Sequence, residues 1–110
     1  MAKYLVLYRS NVSAPEQMAA GSPEDAQAGM ELWMQWSAKA GSAIVDLGSP
    51  LSATGVVGGP GKPDSSIGGF SVLEADSQSA LEKLLDGHPH LQSPGDPSIE
   101  TLEFLPIPGT

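Results

Sequence analysis

The sequence predicts one α+β domain, with a four-stranded antiparallel sheet and two main helices on one face. Three observations carry this. Segments of alternating hydrophobicity and segments of helical spacing follow one another in the order β-α-β, long loop, β-α-β. The chain has 110 residues, which suits one core rather than two, so residues 1–110 form a single domain. Hydrophobic residues make up 40%, enough for a core, while 13 glycines and 10 prolines give loops a generous share.

The first strand is "KYLVLYR", Lys3 to Arg9. Tyr4, Val6 and Tyr8 alternate with Leu5 and Leu7, so both faces are apolar, as in a strand covered on two sides. In "SAPEQMAAG", Ser13 and Glu16 have capping-box spacing and Gly21 can end a short helix. The long helix follows in "SPEDAQAGMELWMQWSAKAG". Ser22 is its N-cap, Pro23 its first residue, Glu24 and Asp25 its first-turn acids, and Gly41 its stop. Ala26, Met30, Trp33, Ser37 and Ala40 form its apolar stripe, widened by Leu32 and Trp36; Trp33 and Met30 read as core.

"SAIVDLG" is a second strand, with Ile44 and Asp46 on one face. Ser49 to Ile67 is a long connection rich in Gly, Pro and Ser, with Val56 and Val57 as a brief extended piece; it reads as a flap. "GGFSVLEA" is the third strand. Asp76 or Ser77 caps the helix in "SQSALEKLLDG", whose stripe is Ala80, Leu81, Leu84 and Leu85 and whose stop is Gly87. "SIETLEFLPIPG" is the last strand.

This order is the split β-α-β, ferredoxin-like arrangement (βαββαβ). Two helices cover only one face of four strands, and the other face is leucine-rich. A bare apolar face is a large exposed patch, so two sheets are expected to pack face to face in a homodimer.

The net charge is −8, from 13 acidic and 5 basic residues. Five cations make no basic face, so neither nucleic acid nor an anionic membrane is an expected partner. The absence of cysteine removes disulfides, thiolate catalysis and zinc–thiolate sites. No apolar run is long enough to span a bilayer, and "MAKYLVLYRSN" is no signal peptide, so the expectation is a cytoplasmic protein from a complete small gene. "GVVGGPGK" fits neither the P-loop nor the dinucleotide fingerprint. No cofactor is expected.

The candidate site residues are few. Both histidines, His88 and His90, lie in "DGHPHLQSPG". Residues two apart in extended chain point to one side, so both rings could meet one ligand, and imidazole suits proton transfer near neutral pH. The plainer alternative has His88 capping the end of the preceding helix and His90 as polar filler. A metal would need a third ligand, from Asp46, Glu103 or Asp86, and no metal site is assigned. Asp46 interrupts an apolar strand and is either a site carboxylate or a solvated strand end. Glu103 reads as an acid near a sheet edge or paired across the dimer. Trp36, at the margin of its stripe, could wall a cleft. Arg9 could hold a ligand's carboxylate or phenolate, or be a solvated strand end.

"YLVLYR", the long-helix segment, "VDLGSPL", "GGFSVLEADS", "LLDGHPHL" and "SIETLEFLP" together resemble the YCII-related proteins, from about Lys3 to Pro108. That resemblance implies a dimeric α+β barrel. "GGPGKPDSSIGGF" looks like a reduced form of the "DGPF" loop of one branch, without its Asp and Phe. The family's proposed enzymes carry a His on the first long helix and an Asp after the second. Here Met30 and His88 hold those positions, so that dyad is not kept. His88, at the loop position, is the favoured acid/base of a small-molecule enzyme, assisted by Asp46, with Trp36, Arg9 and His90 against the substrate. The alternative is a non-catalytic module of the same dimeric fold that binds a metabolite or a protein.

Overall fold

The computed structural model describes residues 1–109. The strands are β1 (Ala2–Arg9), β2 (Ile44–Pro50), β3 (Ile67–Ala75) and β4 (Ser98–Glu103). The helices are α1 (Ala14–Ala20), α2 (Pro23–Ala40) and α3 (Gln78–Leu85), with 3₁₀ turns at Gly41–Ala43 and Pro89–Gln92. The four strands form one antiparallel sheet in the order β2-β3-β1-β4. This is the α+β, ferredoxin-like architecture the sequence predicts.

Helix starts follow from local chemistry. Ser13 and Ser22 each close a reciprocal capping box, with Glu16 and Asp25, and each is followed by proline in the first turn. Ser77, not Asp76, caps α3 by accepting the Ala80 N–H. At the other end Gly87, at φ +69°, carries the chain out of the helix, and the His88 N–H returns to the Leu85 carbonyl at 3.1 Å.

The core lies between the helices and one face of the sheet. Tyr4, Val6 and Tyr8 of β1 and Leu73 and Ala75 of β3 supply the floor; Trp36, Ala40, Leu81 and Leu85 supply the roof. Met30 is not core: it is 62% exposed. The packed stripe of α2 runs through Trp33, Trp36 and Ala40, and its first ten residues contain none that is buried. The buried residues of the helix, Trp36 and Ala40, lie in its C-terminal half.

The connection between β2 and β3 is residues 51–66, slightly shorter than expected. Val56 and Val57 form no strand and are both exposed. Its base is closed by the Leu51 N–H to the Gly68 carbonyl and by the Ser10 N–H to the Ser66 carbonyl, both 2.9 Å.

The second face of the sheet has no helix over it among the described residues. The register aligns Leu102, Leu5 and Val72 in one row and Glu100, Leu7 and Phe70 in the next. The apolar centre is ringed by Lys3, Glu74, Arg9 and Glu100. No helix among the described residues is long and apolar enough to cross a membrane.

Candidate functional site

The covered end of β1 gathers an aromatic cluster. Tyr8 projects from the sheet toward the helices. The His88 ring stacks on it with centroids 4.9 Å apart and an interplanar angle of 28°. Trp33 and Trp36 meet His88 edge to face, at 4.6 and 4.3 Å. His90 flanks Tyr8 at 5.3 Å. Three elements bring the five rings together: β1 supplies Tyr8, α2 supplies Trp33 and Trp36, and the loop after α3 supplies His88 and His90.

His88 is fully buried. Its Nδ1 accepts the His90 backbone N–H at 3.0 Å, capping the turn Pro89–Gln92. It therefore caps the element that follows it, not the end of α3. With Nδ1 accepting, the ring proton sits on Nε2, and this N–H has no hydrogen-bond partner among the described residues. Such an orphan donor costs about 1–3 kcal/mol. Burial, reinforced by repulsion from His90, lowers the His88 pKa to about 4. The ring is neutral at physiological pH.

His90 serves a different bond. Its Nε2 lies 2.8 Å from the Arg9 carbonyl and must donate to it. The loop is tied again by Ser10, whose hydroxyl donates to the Pro94 carbonyl at 2.8 Å, and by the Asn11 N–H to the Gly95 carbonyl at 2.7 Å. Gly95 is required there: at φ +90°, a Cβ would meet Ser10 Oγ at 2.5 Å. The two imidazoles thus cap a turn and fasten it to β1, and their nitrogens do not converge on a common point. Among the described residues, no group of three or more His, Asp or Glu could hold a metal ion.

Beneath His88 runs a buried polar relay. The Tyr8 hydroxyl donates to Ser71 Oγ at 2.8 Å, and the Ser71 hydroxyl donates to the Leu47 carbonyl at 2.6 Å. Burial pushes the Tyr8 pKa up to about 12, against a smaller opposing effect of the Ser71 bond. Trp36 is 5% exposed, and its indole N–H donates to the Leu84 carbonyl at 2.9 Å, satisfying one of the free carbonyls ending α3. Its outer edge reaches a shallow depression of about 200 Å³ beside Leu32, Lys39 and Asp86.

Asp46 and Arg9 lie elsewhere. A bulge between Ile44 and Asp46 breaks the alternation. Ile44 registers with Leu73 on the covered face, but Asp46 registers with Val72 on the open face. Asp46 accepts the Gly48 N–H at 2.8 Å in a local turn and is exposed. The sheet thus separates it from His88. Arg9, also on the open face, binds Asp64 at 2.6 Å and Glu100 at 3.1 Å, tying the long loop to β4. Two bonds from Ser66 and the Arg9 guanidinium hold the Asp64 pKa down to about 2. Glu103 registers with Tyr4 on the covered face and is exposed.

Tyr8, Trp33 and Ser71 join this cluster without having been singled out for it. The signal for Ser71 was a small polar residue inside an apolar strand, which a buried position makes costly without a partner. Tyr8 shared an alternating set with Val6. Nothing in the sequence marked Trp33 as a neighbour of His88.

A second cleft, of about 460 Å³, lies between α3 and β4, lined by Leu85, Leu91 and Ile99 together with Glu82, Asp86 and Thr101.

The fold and these contacts define a ferredoxin-like α+β protein with an aromatic, histidine-bearing core edge. No family model matches the chain, and no curated protein matches it. Among solved structures it is similar to the 5-chloro-2-hydroxyhydroquinone dehydrochlorinase of Burkholderia phenoliruptrix, determined with 2,5-dihydroxybenzoquinone bound. The identity is 16% and the TM-score 0.45, over 89% of this chain and 90% of that one.

Proposed function

We propose that this chain is a non-catalytic binding module that works as a homodimer, of the α+β barrel type that the YCII-related resemblance implies. One observation carries the reading. The accepting nitrogen of His88 is occupied by a backbone N–H, and the ring is buried and neutral. A general base needs a free lone pair, and a general acid needs a protonated population near the working pH; His88 has neither. Asp46 lies across the sheet and gives it no assistance. The open apolar face supports the dimer, because an exposed patch of this kind is normally covered.

A second reading keeps one observation in its favour. The unpartnered His88 Nε2–H is a donor that a substrate oxygen would satisfy. In that reading the protein is a small-molecule enzyme in which His88 polarises its substrate as a neutral donor, with Trp36 shaping the pocket.

The test is a metabolite screen by thermal shift on the full chain, followed by mass spectrometry of each hit after incubation. Ligands that stabilise the protein and are recovered unchanged are the expected result. Turnover that disappears in a folded His88→Phe variant would overturn it and establish the second reading. Sedimentation of the wild type, expected to give a dimer, and of Leu7→Glu, expected to give a folded monomer, checks the assembly.

A further inference from the structure

We infer that the depression between the end of α2 and the loop after α3 binds a small zwitterion, an α-amino acid with an apolar side chain. The inference rests on the reading of the chain as a binding module and names its ligand class.

Lys39, in the last turn of α2, and Asp86, the residue after α3, both line this depression of about 200 Å³. They do not reach each other: both ion pairs among the described residues belong to Arg9. Neither side chain makes a hydrogen bond to any described residue. Gln35 from α2 and Gln92 from the turn after His88 also line the space, and their side-chain amides are likewise unbonded among the described residues. One positive, one negative and two amide groups thus border one small space with their bonding capacity unused.

The charges select the ligand. An ammonium belongs beside Asp86, where the negative end of α3 adds to the carboxylate. A carboxylate belongs beside Lys39. A plain anion is repelled by a chain of net charge −8, and a plain cation leaves Lys39 unmatched; a zwitterion has neither fault. Leu32 and Trp36 leave an apolar stretch for a side chain. The volume is below the roughly 300–1,000 Å³ of sites for drug-sized molecules, so the ligand is of amino-acid size. The same wall carries an independent sign of a missing acceptor. Gly87 and Pro89 line the depression, and His88 stands between them in the chain, its ring 4.3 Å from that of Trp36. His88 Nε2 is the buried side-chain polar atom left without a partner among the described residues. An oxygen of a ligand seated against this wall is what that donor lacks. Neither β2 nor β4 lines the depression, so a dimer closed through the open face and the sheet edges leaves it accessible.

The experiment titrates L-leucine into the isotope-labelled full chain at neutral pH and follows amide and indole NMR shifts. Expected are saturation with a Kd of about 1 mM and shifts centred on Lys39, Gly87 and the Trp36 indole N–H. Lys39→Met and Asp86→Asn should each weaken binding about fivefold. Neither side chain is bonded within the fold, so both variants should keep it. N-acetyl-leucine, which lacks the ammonium, and leucinamide, which lacks the carboxylate, should each bind about fivefold more weakly than leucine. No saturation up to about 20 mM would overturn the inference. So would shifts away from the depression, full affinity in either variant, or equal binding of either blocked leucine. If leucine fails while the metabolite screen yields other ligands recovered unchanged, the ligand class is wrong and the module reading stands. Turnover in that screen removes the module reading, and this inference with it.

Discussion

His88 is the residue on which the chain end of β1 is built. Its depressed pKa has a direct thermodynamic consequence. The unfolded imidazole binds its proton below about pH 6.5 and the folded one only below about 4. Between these values the unfolded chain binds more protons. The stabilising contribution is therefore complete above pH 6.5 and is lost as pH falls through 4, by about 3 kcal/mol. Urea titrations from pH 7.5 to 4 should show this loss in the wild type and a flatter profile in His88→Phe; parallel profiles would show that His88 does not titrate there. His88→Ala should lower stability by about 3 kcal/mol through cavity formation and loss of the cap. His88→Phe, which keeps the ring and removes the orphan donor, should cost less than about 1.5 kcal/mol. The two histidines were legible as a pair in one loop. Their division of labour was not, because it depends on which backbone group each ring nitrogen meets.

Local pattern was reliable wherever one element's own chemistry decided the outcome. The capping boxes at Ser13 and Ser22, the glycine stop after α3 and the alternation of β1 all depend on neighbours within a few residues. It failed at β2. The reading of Asp46 beside Ile44 assumed unbroken alternation, and two bulges remove it. Gly48 makes the second one possible. Its φ is +84°, and a Cβ there would lie 1.7 Å from the Phe70 carbonyl oxygen. Gly48→Ala should detach β2 from β3, with a loss of about 3 kcal/mol and a melting-point drop of about 10–20 °C, measurable by calorimetry. An unchanged melting point would mean that β2 can realign without the bulge. Met30 failed for another reason. Helical spacing gives the angle of a side chain about the axis, but not how far along the helix the packing continues.

At the scale of the molecule, the chain is a slab of 48 × 41 × 20 Å, the thickness of one helix layer on one sheet. Its radius of gyration is 15.1 Å, against about 13 Å for a compact chain of this length. The excess follows from the exposed connection 51–66 and the uncovered sheet face. Leu7→Glu, in the centre of that face, should abolish the proposed dimer while leaving the melting point within a few degrees of the dissociated wild type. A wild type that sediments as a monomer at high concentration would remove this account of the leucines. The overall fold was legible because order and alternation survive in one dimension. The site was not, because its rings come from Tyr8, Trp33, Trp36 and His88, which meet only after the sheet closes.

The place of β1 in the middle of the sheet also has a kinetic side. Its neighbours are β3, some sixty residues away along the chain, and β4, about ninety away. No strand of the central pair can find its partner by a short turn, so large loops must close before any of the core is sheltered. During synthesis β1 is made before both of its partners and stays incompletely paired until Ser98–Glu103 are free to join it. Its "YLVLY" run therefore waits longest for cover, an apolar strand without partners until the distant halves of the sheet arrive.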